Sequence, residues 1–220
     1  MQALFSLAGR VALVTGGSRG IGRMIAEGFL KQGATVFISA RKGAACDATA
    51  AELSKIGPCH SIPGDVSTMD GIARVVAALK DRTSQLDILV NNAGAAWGAP
   101  AEDYPVEAWD KVMNLNVRGY FILSQHIAKH SMIGRRSGSI INVASIAGLG
   151  GNPKGMNTIS YNTSKGAVVN FTRALAAEWG QYKINVNCIC PGFFVTKLAA
   201  GLIKALGGGY ASSDFAENTQ

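Results

Sequence analysis

RVALVTGGSRGIG, residues 10–22, decides how this chain is read. An apolar, β-branched run enters a glycine-rich turn, and an apolar helix pattern follows at once. Near-continuous apolar character is what a parallel strand covered on both faces needs. Glycines at 16, 20 and 22 allow a tight turn, close approach of backbone to a pyrophosphate and close helix–strand packing. The helix start adds free N–H groups and a positive dipole end for phosphate. In that position the triplet predicts a dinucleotide site, with Gly16, Ser18, Arg19, Gly20, Ile21 and Gly22 as its first candidates.

The same alternation runs outward along the chain. Strands are predicted at Arg10–Thr15, Ala34–Ala40, His60–Asp65, Asp87–Asn91, Ser139–Val143 and Ile184–Cys190. Helices are predicted at Ile21–Gln32, Ala44–Ile56, Met69–Thr83, Val106–Ser131 and Ser160–Tyr182. Ile21, Met24, Ile25, Gly28 and Phe29 should face inward on the first helix, and Ile72, Val75, Val76 and Leu79 on the third. Ser67 and Pro105 supply helix starts. This pattern implies an α/β fold, a doubly wound parallel sheet with helices on both faces, as a single domain over residues 1–220. Residues 201–220 read as an irregular polar tail.

Composition removes several function classes. Apolar residues near half and charged residues at 16% describe a soluble globular chain. No apolar run reaches membrane-spanning length, and no basic leader precedes the first strand, so a cytoplasmic setting is expected. Net charge is +7. That favours anionic ligands, but no run of five basic residues marks a nucleic-acid surface. Cys46, Cys59, Cys188 and Cys190 lack metal-ligand spacing, and alternation puts the last two on one strand face as buried free thiols. His126 and His130 share a helix face without a third ligand candidate, so no metal site is assigned.

The end of the second strand selects the nucleotide. An acid there would bind the ribose hydroxyl of NAD, but the run TVFISAR ends on Arg41 with no acid before Asp47. Arg41, Arg19 and the hydroxyl of Ser39 suit a 2′-phosphate, so NADP(H) is the expected cofactor. Further on, SYNTSK at 160–165 places Tyr161 and Lys165 four apart on one helix face. A phenol is a poor acid or base near neutrality, and an ammonium beside it should lower its pKa towards the useful range.

Together these stretches resemble the shorter branch of the short-chain dehydrogenase/reductase family. TGGSRGIG resembles its cofactor turn, and NNAG at 91–94 its fourth-strand motif, bringing in Asn92, Ala93 and Gly94. Asn116 resembles its helix asparagine, Ser145 its serine, and Tyr161 with Lys165 its acid–base pair. Pro191, Gly192 and Thr196 resemble the turn after the sixth strand, and Asp65 with Val66 the adenine contact. The resemblance implies ketone–alcohol interconversion with a nicotinamide. Tyr161 would transfer the proton, Ser145 would hydrogen-bond the oxyanion, Lys165 would hold the nicotinamide ribose, and Asn116 would position a water that links Lys165 to solvent.

The stretch between Ser145 and Tyr161 is longer than the family's usual one, and should wall the substrate with Asn152, Met156 and Asn157. After Pro191 the chain lacks a run for the family's last strand, which would leave the sixth strand at the sheet edge and weaken activity and assembly. The wording resembles bacterial 3-oxoacyl thioester (acyl-carrier-protein) reductases, including the rhamnolipid-associated kind, so reduction of such a thioester is the first expectation. Gluconate or other sugar-acid dehydrogenases are the alternative, and a catalytically weak NADP(H)-binding module is the alternative of another class. Arg135, Arg136 and Lys183 would dock an acidic acyl carrier protein, and a homodimer through the Val106–Ser131 and Ser160–Tyr182 helices is implied.

Overall fold

Strands form where the apolar runs predict them: β1 (Val11–Thr15), β2 (Thr35–Ser39), β3 (Cys59–Ser61), β4 (Ile88–Asn91), β5 (Gly138–Val143) and β6 (Ile184–Ile189). The structure, a computed structural model, describes residues 2–192 and 194. Thr196, the tail at 201–220 and any later strand therefore lie outside the described residues. All pairings are parallel, in the order β3-β2-β1-β4-β5-β6. Strand order reverses between β1 and β4, and their carboxyl ends leave a crevice there. Among the described residues β6 is an edge, with Asn185, Asn187 and Ile189 exposed on one face.

Helices α1 (Gly20–Lys31) and α2 (Gly43–Leu53) cover one face of the sheet, burying Ala12, Val14, Val36 and Ile38 against Ala26, Leu30 and Leu53. Helix α3 (Met69–Lys80) lies on the other face, with Ile72, Val75, Val76 and Leu79 inward as the period predicts. For α1 the predicted face is off by one position. Gly22, Ala26 and Leu30 are buried, Ile25 and Phe29 flank them, and Met24 and Gly28 are exposed. The cap of α3 also moves by one. Thr68 accepts from Gly71 N at 3.0 Å, while Ser67 bonds Asp65 instead.

The predicted helix from Val106 to Ser131 is continuous but not uniform. It comprises α4 (Val106–Met113), a π turn (Asn114–Arg118), α5 (Gly119–Ile127) and a second π turn (Ala128–Met132). Such widened turns recur at functional sites, and the first carries Asn116. Helix α6 (Ile159–Trp179) returns along β5 and β6. No helix among the described residues is long and apolar enough to cross a membrane.

At the amino end of the sheet one buried carboxylate holds three elements. Asp87 accepts from Val11 N at 2.9 Å, Gln85 Nε2 at 2.8 Å and Arg135 Nη2 at 2.7 Å. Arg135 also donates to Ser131 Oγ and Leu86 O, so it belongs to the scaffold instead of standing free for a partner. Burial pushes the Asp87 carboxyl up, but these bonds outweigh it and hold it below its ordinary value. Arg135→Ala should therefore cost about 2 kcal/mol near neutral pH, less than a fully buried pair because Arg135 is a third exposed. A depressed carboxyl pKa adds stability above the unfolded value, about 4, and loses it as pH falls through the folded value. Urea unfolding should show the gap between parent and variant near neutral pH and its closure in strong acid.

Candidate active site

The crevice is a cleft of about 1330 Å³ at the carboxyl end of the sheet. Its nucleotide end is built from backbone. Gly16 holds φ +67°, and a Cβ there would come within 2.7 Å of Asn92 Nδ2, so only glycine fits between β1 and the NNAG loop. Thr15 Oγ1 ties the two together, accepting from Asn92 N at 3.0 Å and Ala93 N at 3.1 Å. Asn92 Nδ2 returns a bond to Thr15 O at 2.8 Å.

Gly16, Ser18, Arg19, Gly20, Ile21, Gly22, Ser39, Arg41, Val66, Asn92, Ala93, Gly94, Pro191 and Gly192, the residues expected at the cofactor, all line the cleft. No side chain caps the start of α1, which opens onto it. Ser39 Oγ is buried with no hydrogen-bond partner, beside exposed Arg41. An uncapped helix start, a glycine cradle and an orphaned hydroxyl next to cations fit a phosphorylated dinucleotide. Lys42 and Gly64 line the same end and were not singled out from sequence. Asp65 does not line it: its Oδ1 accepts from both Ser67 N and Ser67 Oγ, which turns the carboxylate into the β3–α3 corner.

At the other end α6 brings Tyr161 and Lys165 to the tip of β5. Lys165 is 3% exposed and donates to Val143 O at 2.7 Å. Its Nζ lies 5.6 Å from the ring centres of both Tyr120 and Tyr161. Burial lowers its pKa to about 8, opposed by Cys188 and Cys190. The expected lowering of Tyr161 is not found. Burial raises its phenol and a hydrogen bond with Ser145 opposes this, because the Lys165 ammonium is aimed at the Val143 carbonyl and not at the phenol oxygen. Ser145 follows β5, and its Oγ accepts from Ala147 N at 3.1 Å.

Asn116 is fully buried and does not line the cleft. Its amide staples Ala95 in both directions at 2.9 Å and donates to Ser164 Oγ at 2.9 Å. The expected role toward Lys165 is thus accompanied by a direct structural one. Asn116 Oδ1 and Lys165 Nζ both flank Gly94, at 3.4 and 3.8 Å from where its Cβ would lie.

Two loops wall the rest of the cleft. Asn152, Met156 and Asn157 line it, but the Asn152 amide is spent on Met156 O and Thr158 Oγ1 of its own loop and on Asn162 Oδ1 of α6. The facing loop, 95–104, is fixed by residues that carry no sequence signal. Ala99 N donates to Asn157 O at 2.9 Å, Tyr104 Oη donates to Trp97 O, and Tyr104 makes a short hydrogen bond with buried Ser160 beside Tyr161.

A glycine cradle at one end of a doubly wound sheet and a serine, tyrosine and buried lysine at the other define a dinucleotide-dependent oxidoreductase. The chain belongs to the short chain dehydrogenase family, whose pattern matches residues 10–206. It is 47% identical over 201 residues to the rhamnolipids biosynthesis 3-oxoacyl-[acyl-carrier-protein] reductase of Pseudomonas aeruginosa, covering 90% of this chain and 78% of the relative. It is 36% identical over 201 residues to the gluconate 5-dehydrogenase of Gluconobacter oxydans, covering 91% and 77%. Among solved structures, the Pseudomonas aeruginosa RhlG/NADP active-site complex superposes with a TM-score of 0.87 at 45% identity, over 94% of this chain and 82% of that one.

The buried lysine generates a stability test. Tyr120 Oη also donates to Val143 O, so Lys165→Met leaves that carbonyl a partner while removing a buried charge. The variant should be more stable than the parent by about 1 kcal/mol near neutral pH, with turnover lost. A lysine with a lowered folded pKa destabilises below that value. The parent therefore gains stability as pH rises from about 8 toward the unfolded value. Thermal unfolding across that window should show the variant's advantage shrinking.

Proposed function

We propose that this enzyme uses NADP(H) to interconvert a ketone and a secondary alcohol on an apolar acyl substrate of the 3-oxoacyl thioester kind. The lining of the substrate end carries this reading. Trp97, Pro100, Ile146, Met156 and Phe194 form its walls, and Lys165 is the only cation among the described lining residues beyond Arg19, Arg41 and Lys42 at the nucleotide end. A sugar-acid carboxylate would lack an anchor there, whereas an alkyl chain gains from burial. The similarity to a 3-oxoacyl reductase points the same way.

A nicotinamide held in the cleft would supply the hydride chemistry. Tyr161 gives the proton to the carbonyl oxygen on reduction and takes it back on oxidation. Ser145 hydrogen-bonds that oxygen as charge develops on it. Lys165, seated on Val143 O beside the Tyr161 ring, would hold the nicotinamide ribose. Arg19, Arg41 and Ser39 would hold the 2′-phosphate, with Lys42 beside them. Complete retention of Ser145, Tyr161 and Lys165 in one cleft argues against a binding module without catalysis.

Docking of an acyl carrier protein through Arg135, Arg136 and Lys183 is weakened by the fold. Arg135 is bound to Asp87. Arg136 and Lys183, both exposed at positive φ, precede β5 and β6, whereas Ser145 follows β5. A strand's length, about 20 Å, separates them from the cleft. A homodimer through α5 and α6 is supported by Phe121 and Phe171, which meet edge to face at 6.3 Å on the outer side of those helices, with Phe121 exposed. A cytoplasmic setting suits an enzyme that draws on NADPH and carries free thiols.

Three measurements test the reading. Fluorescence titration should give much tighter binding of NADPH than NADH, and Tyr161→Phe should keep that binding while losing about 10²–10⁴-fold in turnover. With NADPH fixed, kcat/KM on 3-oxoacyl thioesters should rise about fourfold per added methylene until the wall is filled; a preference for 5-ketogluconate would overturn the substrate assignment. Paired Arg136→Glu and Lys183→Glu changes should affect carrier-bound and free thioesters equally, and selective loss on the carrier would restore docking.

A further inference from the structure

We propose that Cys188 and Cys190 form a dithiol site for a trivalent arsenical, and that its occupation disables the adjacent Lys165. The two residues alternate onto one face of the β6 end, and their sulfurs lie 3.9 Å apart. Both are half-buried, not enclosed as the sequence pattern predicts, while Cys46 and Cys59 are fully buried on the other side of the sheet. The pair is therefore the accessible thiol population among the described residues.

The spacing selects the ligand. Sulfurs in a disulfide sit about 2 Å apart, so a bridge between residues two apart on a strand would have to close nearly half the gap. One pyramidal atom bonded to both sulfurs at about 2.3 Å, with an angle near about 100° between the bonds, spans roughly 3.5 Å, so the gap has to close by only a few tenths of an ångström. A zinc-type ion would need further protein ligands, and no group of three or more His, Cys, Asp or Glu occurs among the described residues. A monosubstituted trivalent arsenic needs only two sulfurs, its third bond being to its own carbon. The reaction balances without an oxidant: two S–As bonds form, the As=O bond breaks, and its oxygen leaves as water with the two thiol protons.

The site is also coupled to the chemistry. Both thiols pack on Tyr120, Ala144 and Val168. Lys165 Nζ lies over the face of that same Tyr120, and both sulfurs act on its proton affinity. An organoarsenic group between β6 and α6 would crowd the seat of Lys165 on Val143 O. This consequence for turnover rests on the catalytic reading of Lys165; the binding does not.

Phenylarsine oxide titrated into the full chain tests both parts. One equivalent should protect two thiols from a colorimetric thiol reagent, add the mass of one phenylarsenic group less two hydrogens, and abolish NADPH-dependent turnover. Dithiothreitol should reverse this, and mercaptoethanol should not. Cys188→Ser or Cys190→Ser should each raise the concentration for half-modification about a hundredfold, the usual scale of a lost second tether. Because thiol count and mass are read without turnover, an inactive variant still reports. Unchanged modification in the double serine variant, or no two-thiol adduct in the parent, would overturn the site. An adduct with turnover intact would overturn the coupling to Lys165.

Discussion

Lys165 is a cation placed almost entirely out of water, and much of the fold around it exists to make that tolerable. Its hydrogen bond among the described contacts goes to Val143 O, the last carbonyl of β5, and two aromatic faces take the remaining field. A buried charge is costly unless its partner is held in place. The fold holds it through a row of buried polar side chains crossing the sheet. Ser124 on α5 bonds Asn91 on β4, Asn91 bonds Asn142 beside Val143, and Asn142 bonds Thr172 on α6. Thr172 lies two turns beyond Lys165 on the same helix. The row therefore fixes the height of α6 against β5, which is the coordinate that decides whether the ammonium meets its carbonyl.

What the sequence makes legible follows from how local each requirement is. The turn at 15–22 is readable because its chemistry resides in consecutive backbone groups, and the apolar runs are readable because parallel strands are covered on both faces. The apolar stripe of α1 is clear, but its inward centre falls one position along, because Ala26 and Leu30, and not Met24, lie against β2. The structural bonds of Asp65, Arg135 and Asn116 go unread for a different reason. Each has a partner remote in sequence or a competing neighbour, namely Ser67, Asp87 and Ala95, and a polar side chain serves the closest unsatisfied group. The cysteines on β6 alternate as expected, but their exposure depends on what covers a sheet edge, which alternation does not encode.

The two ends of the cleft differ in the same way, and the difference explains why a cofactor class is easier to read than a substrate. At the nucleotide end, glycines and helix geometry present backbone, and side chains enter as charges whose type alone matters. At the substrate end, shape comes from two loops laced to each other by Ala99, Asn157, Tyr104 and Ser160. None of those contacts has a local signature. The apolar character of Trp97, Ile146 and Met156 becomes informative only once they are known to share a wall.

The long stretch between Ser145 and Tyr161 could be expected to loosen the catalytic pair, yet it does not. The short helical turn at Ile146–Gly148 presses directly on α6, and a Cβ on Gly148 would overlap the backbone of Lys165 and Gly166. That contact joins the serine's turn to the lysine's helix before the loop begins. The loop from Leu149 onward is then tied back to the first turn of α6 by the Asn152, Thr158 and Asn162 bonds. Ser145 and Lys165 are thus set relative to each other before the loop begins, whereas the substrate wall hangs from the first turn of α6 at Asn162, next to Tyr161.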